Sequence, residues 1–337
     1  MRRIAVINQK GGVGKTTTTA NLGAALARSG SRVLLIDFDP QAHLSLHFGV
    51  ELSDDQPSIY DVLTASVPIQ DVSLNVHDSV TLIPADIDLA GAEAELISVT
   101  GREVLLREAL EAIGDDYDCL LIDGPPSLGV LTINALVAAN EVMIPLQAHF
   151  LALQGLSKLL DTVTLVRQRI NPDLTVGGIV LCMHEFATRL AGEVVEDLVR
   201  FLEGSRGSGT AWADARVYDT YIRRNIKLAE SSSFGQTVFD YAPRSNGAID
   251  YARLALEVFG ETTVALEHAA TPNTLSSRQI TGTNPKVDAA TRPDTPGPAE
   301  VSASTSTAPV EERLPSALPD DAVADRAARR DTVTSTP

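Results

Sequence analysis

The sequence is short of three things. Aromatic residues make up 4% of its 337 positions, with a single Trp. Cysteine occurs twice, as Cys119 and Cys182. Basic residues are outnumbered, 27 Lys and Arg against 44 Asp and Glu, for a net charge of −17. Each shortage excludes something. Two cysteines cannot build a disulfide framework. Both sit in apolar runs, DCLLI and IVLCM, and read as buried, reduced thiols of a cytoplasmic protein. The acidic balance argues against a nucleic-acid coat protein, so any DNA contact has to come from a local patch. No 18 apolar residues run together, which leaves no membrane-spanning helix. Arg2 and Arg3 precede only IAVI, too short for the apolar core of a signal peptide.

What is present is a core, with 44% hydrophobic residues. RIAVIN, RVLLID, VTLIPA, DCLLID, EVMIPL and TVGGIVL are short and almost continuously apolar. Strands of a parallel sheet covered on both faces have this character. Helical stretches lie between them, such as TTANLGAALARSG, which ends on the stop signal Gly30. The alternation predicts a doubly wound, mostly parallel α/β sheet over residues 1–262. Residues 263–337 are different, rich in Pro, Ser, Thr and Ala and without Phe, Tyr or Trp. Such a segment buries too little apolar surface to offset its ordering entropy, so it is expected to be a disordered tail. DDAVADRAARR within it is a candidate short helix.

The segment NQKGGVGKTTTT, residues 8–19, follows the first expected strand and opens a helix. That order is the context a phosphate-binding loop requires. The backbone amides of Gly11, Gly12, Val13, Gly14, Lys15, Thr16 and Thr17 can wrap a phosphate, because glycine permits close approach and positive φ. Lys15 is placed for the β- and γ-phosphates, and the Thr16 hydroxyl for Mg²⁺. The strict G-x-x-x-x-G-K-[ST] pattern is not met, since Gln9 stands at its first Gly. Acids close two strands: Asp37 and Asp39 in LLIDFDPQ, and Asp123 in LLIDGPPS. Open α/β sheets bind ligands at the carboxyl ends of strands, so these acids can converge on Mg²⁺ and the γ-phosphate. His43 and His47 have helical i, i+4 spacing, but no third zinc-ligand pattern accompanies them. The absence of an NKxD pattern favours ATP over GTP.

A second lysine, Lys10, precedes the glycines. KGGVGKT, residues 10–16, resembles the deviant Walker A motif of the ParA/MinD ATPases. The resemblance spans about residues 2–260. NLGAALARSGSRVLLIDFDPQ, DYDCLLIDGPPSLGVLTINAL and IRRNIKLAESSSFGQTVFDYAPRSNGAIDYARLALEV are similar to the ParA/Soj branch. It implies a P-loop ATPase that sandwiches ATP in a homodimer, with Lys10 acting on the partner's nucleotide. It also implies that Asp39 is catalytic, that Asp123 is the Walker B acid holding Mg²⁺ through water, and that Asp37 supports the metal. Met183 and Asn225 fall where the family meets adenine. Arg189 and Arg224 match DNA-contacting positions of Soj-like proteins, with Arg223 and Lys227 extending the patch.

The expected function is therefore a nucleoid-associated ATPase that binds DNA without sequence preference. It would partition a chromosome, plasmid or protein assembly, stimulated by a ParB-like or cargo-adaptor partner. The alternative is a MinD-like membrane-associated regulator. That needs a C-terminal amphipathic helix, which the tail lacks. An iron–sulfur reductase would need cysteines in exposed loops, and both here lie in strands. Two departures from the family stand out: His149 and Gln154 where Glu is common. The stretch GSRGSGTAWADA, residues 204–215, has no evident nucleotide role.

Overall fold

The computed structural model describes residues 1–260 except 54, 150–151 and 185–188; the side chains at 152 and 189–191 are also outside the description. The expected tail and its candidate helix lie outside the described residues. The six apolar runs all form strands: β1 (Arg2–Val6), β2 (Val33–Asp37), β4 (Val80–Ile83), β5 (Cys119–Asp123), β6 (Glu141–Leu146) and β7 (Thr175–His184). Three short strands join them: β3 (Leu74–His77), β8 (Arg216–Val217) and β9 (Ile222–Arg223). The sheet order is β3-β4-β2-β5-β1-β6-β7-β8, with β9 also on β7. Every pair is parallel except β3 with β4.

Period-two alternation divides the strands between two cores. Ala5, Leu34, Ile36, Leu120 and Ile122 face one side, under the helices Ile59–Thr64, Leu105–Glu111, Val130–Ala138 and Ala152–Arg169. Ile4, Val33, Leu35 and Leu121 face the other, under Lys15–Arg28 and Asn246–Phe259. Because both faces are covered, the central strands have no polar side to show, which is why they are apolar throughout. Cys119 and Cys182 are buried in these strands, and burial pushes both thiols up to about 12. They are inert core residues.

The C-terminal part of the fold folds back on the helix that follows the phosphate loop. The Asn21 side chain accepts a hydrogen bond from the Val238 amide at 2.8 Å. Thr18 Oγ1 lies 3.1 Å from the Tyr251 hydroxyl. The short helix His43–His47 ends at Gly49, and the helix Ile226–Ser233 ends at Gly235. Both glycines are left-handed, with φ of 70° and 62°. A Cβ on Gly235 would stand 2.9 Å from Gly49 Cα. Gly235→Ala should therefore cost about 1–3 kcal/mol in urea unfolding, from strained backbone and overpacking together. Unchanged stability would mean that the two turns do not meet.

Candidate nucleotide site

Three adjacent strands end level. In the parallel register Val6 pairs with Asp123, and Asp123 with Asp37. Neighbouring strands stand about 4.8 Å apart. The register alone thus puts two carboxylates beside the point where β1 turns into the loop of residues 8–14. All three of these elements were placed by their apolar character, and the site follows from their order in the sheet.

The loop holds its shape through few groups. Asn8 donates its side-chain amide to Pro145 O at 2.7 Å and accepts from the Lys10 amide at 3.0 Å. Gly12 and Gly14 take φ of 70° and 95°. Val13 is buried and anchors the loop, while Gly11 and Gly12 are exposed, with nothing within 4 Å of where a Cβ would be. The helix Lys15–Arg28 starts directly behind Gly14, so its first amides, including those of Thr16 and Thr17, face the cradle. It opens three residues before the expected TTANL stretch, because left-handed Gly14 is its cap. It ends at Arg28, and the expected stop signal Gly30 turns just beyond it at φ 94°.

The acids converge on this cradle. Thr16 Oγ1 donates to Asp123 Oδ2 at 2.7 Å, and Thr19 Oγ1 lies 3.1 Å from Asp123 Oδ1. Asp37 accepts from the Ser45 amide at 2.7 Å and the Ser45 hydroxyl at 2.8 Å. Both carboxylates are fully buried. Burial, then the neighbouring Asp37 charge, pushes Asp123 up to about 8. Burial pushes Asp37 up to about 6. Lys15 is also buried, and desolvation lowers it against the pull of Asp123 and Asp39. Asp39 is less enclosed, at 7% exposure, and its Oδ1 accepts from the Gln41 amide at 3.0 Å. Among the described residues no group of three or more His, Cys, Asp or Glu side chains is arranged to hold a metal unaided. That suits Mg²⁺, which keeps its waters and takes one or two protein oxygens plus phosphates. Thr16, Asp123 and Asp37 are the groups that fit it.

The two lysines diverge. Lys15 Nζ turns back over the loop, 3.4 Å from Lys10 O. Lys10 is exposed, and its ammonium contacts His149 Nε2 instead of the cradle. Ser45, Thr19, Asn8 and His149 all serve the site and were not singled out for it by sequence. Gly124 has a packing role, since a Cβ there would strike Ile7 Cδ1 at 2.1 Å.

The remaining expected residues lie to one side. Cys182, the residue before Met183, has its Sγ 3.5 Å from where Gly14 would carry a Cβ. Met183 itself takes φ of 50°, a strained value for its type that occurs where β7 meets β9 out of register. Asn225 caps the helix Ile226–Ser233 and lines an open hollow of about 590 Å³ with Pro243 and Ser245. Arg223 is engaged by buried Asp250, with Nη2 at 2.6 Å and Nε at 3.0 Å. Arg224 is exposed. Arg189 opens the helix Arg189–Gly204, and its side chain lies outside the described residues.

The raised carboxyls fix a pH dependence. Without nucleotide, the folded chain keeps a proton on Asp123 that the unfolded chain releases at about pH 4. Stability from this group is full below that and is lost as pH rises towards 8, with Asp37 adding the same trend towards 6. Asp123→Asn should therefore gain on the unsubstituted chain between pH 5 and 9, by roughly 4 °C or more in Tm. Parallel melting curves for the two would show that the carboxyl ionises without penalty.

The chain has close relatives. Residues 1–176 match a family model described as an AAA domain. The sporulation initiation inhibitor protein Soj of Bacillus subtilis is 45% identical over 76% of this chain and 97% of its own length. The chromosome partitioning protein ParA of Caulobacter vibrioides is 43% identical over 77% and 94%. A Mycobacterium smegmatis structure named as cobyrinic acid a,c-diamide synthase, holding ADP and magnesium, is 38% identical, with a TM-score of 0.63 over 76% and 92%. MinD of Pyrococcus horikoshii with Mg-ADP, 24% identical at a TM-score of 0.61 over 79% and 99%, shares the fold. The level strand ends, the glycine cradle and these likenesses agree: the chain belongs to the ParA/Soj family of chromosome-partitioning ATPases.

Proposed function

We propose that the chain hydrolyses ATP as a switch: two copies close on two Mg·ATP, the pair binds DNA without reading sequence, and a partner protein speeds hydrolysis. The carrying observation is the separation of the two lysines. Lys15 serves its own cradle, whereas Lys10 turns away from it to His149, next to an exposed pair of glycines. Gly11 and Gly12 have no neighbours to crowd a facing copy. In this reading Lys10 crosses to the other copy's triphosphate and stabilises the charge that develops there. Bound Mg²⁺ would neutralise the charge on the phosphates. Thr16 and Asp123 would hold it, Asp37 would set the field around them, and Asp39 would orient the attacking water. Met183 and Asn225 would border the adenine. The Mg-ADP in the Mycobacterium smegmatis structure supports Mg²⁺ and adenine nucleotide as the ligands.

Mixing experiments test the trans lysine. Lys10→Ala and Asp39→Ala should each lower turnover by roughly a hundredfold. Mixed in equal amounts, they should recover about a quarter of full activity, because half the pairs are mixed and each then has one complete site. No recovery, with exchange of subunits verified, would place Lys10 on its own nucleotide.

DNA binding is proposed to lie on Arg224 and Arg189, with Arg223 and Lys227 at its edge. A net charge of −17 repels phosphate over most of the surface, so contact has to be focused. Lys227 is shared with Glu230 at 2.6 Å, and Arg223 with Asp250. Arg224→Ala should weaken binding equally across DNA sequences and lower the salt slope by about one. Arg223→Ala should instead lower thermal stability, because it strips a buried carboxylate of its cation. Equal effects of both changes on DNA and on stability would overturn this division. The relatives named for chromosome partitioning support a chromosome as the cargo, and a ParB-like protein is proposed as the partner. Among the described residues no helix is long and apolar enough to cross a membrane.

A further inference from the structure

A cavity of about 360 Å³ lies at the opposite ends of the strands from the nucleotide site. Its floor is made by the first residues of four strands: Arg2 of β1, Glu141 of β6, Thr175 of β7 and Arg216 of β8. Five residues of β1 separate it from the phosphate loop, about 15 Å of extended chain. Nothing in nucleotide chemistry calls for a cavity here.

The lining is cationic in an acidic protein. Arg2 and Glu141 cancel, locked together by bonds of 2.7, 2.9 and 3.0 Å. Arg2 is further fixed by Val258 O at 2.6 Å and by the Phe259 ring, 4.4 Å away. This pair is a rigid floor. Arg167 and Arg216 are different. Among the described residues the one hydrogen bond from the Arg167 guanidinium goes to Pro172 O, at 3.3 Å from Nε. Arg216 has Glu257 O at 3.4 Å and lies over the Tyr218 ring. Among the described residues neither forms an ion pair. Each guanidinium carries five N–H donors, so most are uncommitted. Asp214 is the one further acid in the lining.

The space is kept open by the backbone. Gly177 and Gly178 lie inside β7, where glycine weakens a strand. A Cβ on Gly177 would meet Glu141 Oε1 at 1.9 Å, and one on Gly178 would meet the Tyr218 ring at 2.7 Å. Two side chains are thus given up so that the floor can form. The outer wall is the stretch after the helix Arg189–Gly204, which contains the chain's sole Trp. It is tied down by the Val176 amide on Ala211 O at 2.8 Å and by Trp212 Nε1 on Ser205 Oγ at 3.0 Å.

We infer that this cavity is a second ligand site, separate from the nucleotide site, and that it binds a small metabolite through a compact oxyanion held by Arg167 and Arg216. Planar guanidinium forks suit phosphate and carboxylate oxygens equally. The volume falls within the range of small-molecule sites. The wall residues 204–215, which the nucleotide site leaves without a task, are then the lid-side of this pocket.

The test is calorimetry on the full chain with Mg·ADP saturating the phosphate loop. Inorganic phosphate is titrated in one arm and succinate in the other. At least one should bind saturably, and the stronger of the two identifies the oxyanion. Arg167→Gln with Arg216→Gln should weaken that binding at least about tenfold. Thr210→Asp, on the exposed wall, should weaken it similarly by supplying a competing carboxylate without touching the sheet. Lys15→Ala, which disables the phosphate loop, should leave it intact. Absence of binding by both anions overturns the inference. So does binding that survives both cavity variants, or binding that disappears with Lys15→Ala.

Discussion

The upper half of the molecule depends on burying two carboxylates, Asp37 and Asp123, beside one ammonium, Lys15. Burial of an ionised group is costly unless it is paired and hydrogen-bonded. The fold meets that cost in part. Ser45 gives Asp37 two donors, and Thr16 and Thr19 attend Asp123. Burial, and after it the neighbouring Asp37 charge, still hold Asp123 well above an ordinary carboxyl. A divalent cation arriving with phosphates would remove that repulsion and free the Thr16 hydroxyl. The site is thus stable as an apo arrangement and still strained toward a metal–phosphate ligand.

Much of this was legible in the sequence, for a local reason. The six central strands are apolar on both sides, and glycine, lysine and threonine in a row have few other uses between a strand and a helix. The fold class and phosphate loop follow from such local patterns. What sequence could not supply was anything depending on a neighbour far along the chain. Ser45 looks like any helical serine until β2 and the helix His43–His47 place it over Asp37. Gly124 looks like any turn glycine in the sequence, and its constraint is the Ile7 side chain, over a hundred positions away. The short strands β3, β8 and β9 were invisible because edge strands of two to four residues carry no apolar run.

The two neighbouring arginines make the same point about charge. Arg223 and Arg224 are adjacent; Arg224 matches a DNA-contacting position of Soj-like proteins, and Arg223 was expected to extend the patch. The backbone of β9 aims one of them at Asp250, 27 positions on, and leaves the next exposed. Arg223 closes β9 and meets a buried carboxylate, whereas Arg224 lies just beyond the strand at the surface. A basic pair in a sequence is therefore a pair of candidates with different fates.

The same logic applies to the lysines that frame the loop. Lys15 heads a helix, and the turn at Gly14 directs it over the cradle. Lys10 stands before the glycines, where Asn8 fixes its backbone by accepting from its amide. Its ammonium goes to His149 and not to the cradle. That contact uses a ring nitrogen lone pair, a weak partner for a full positive charge compared with a triphosphate. An exposed cation on a fixed stem, weakly held and beside a glycine-smooth face, costs little to redirect. Redirecting it outward requires only that an anion be presented from the other side of Gly11 and Gly12, which is where a second copy's nucleotide would stand.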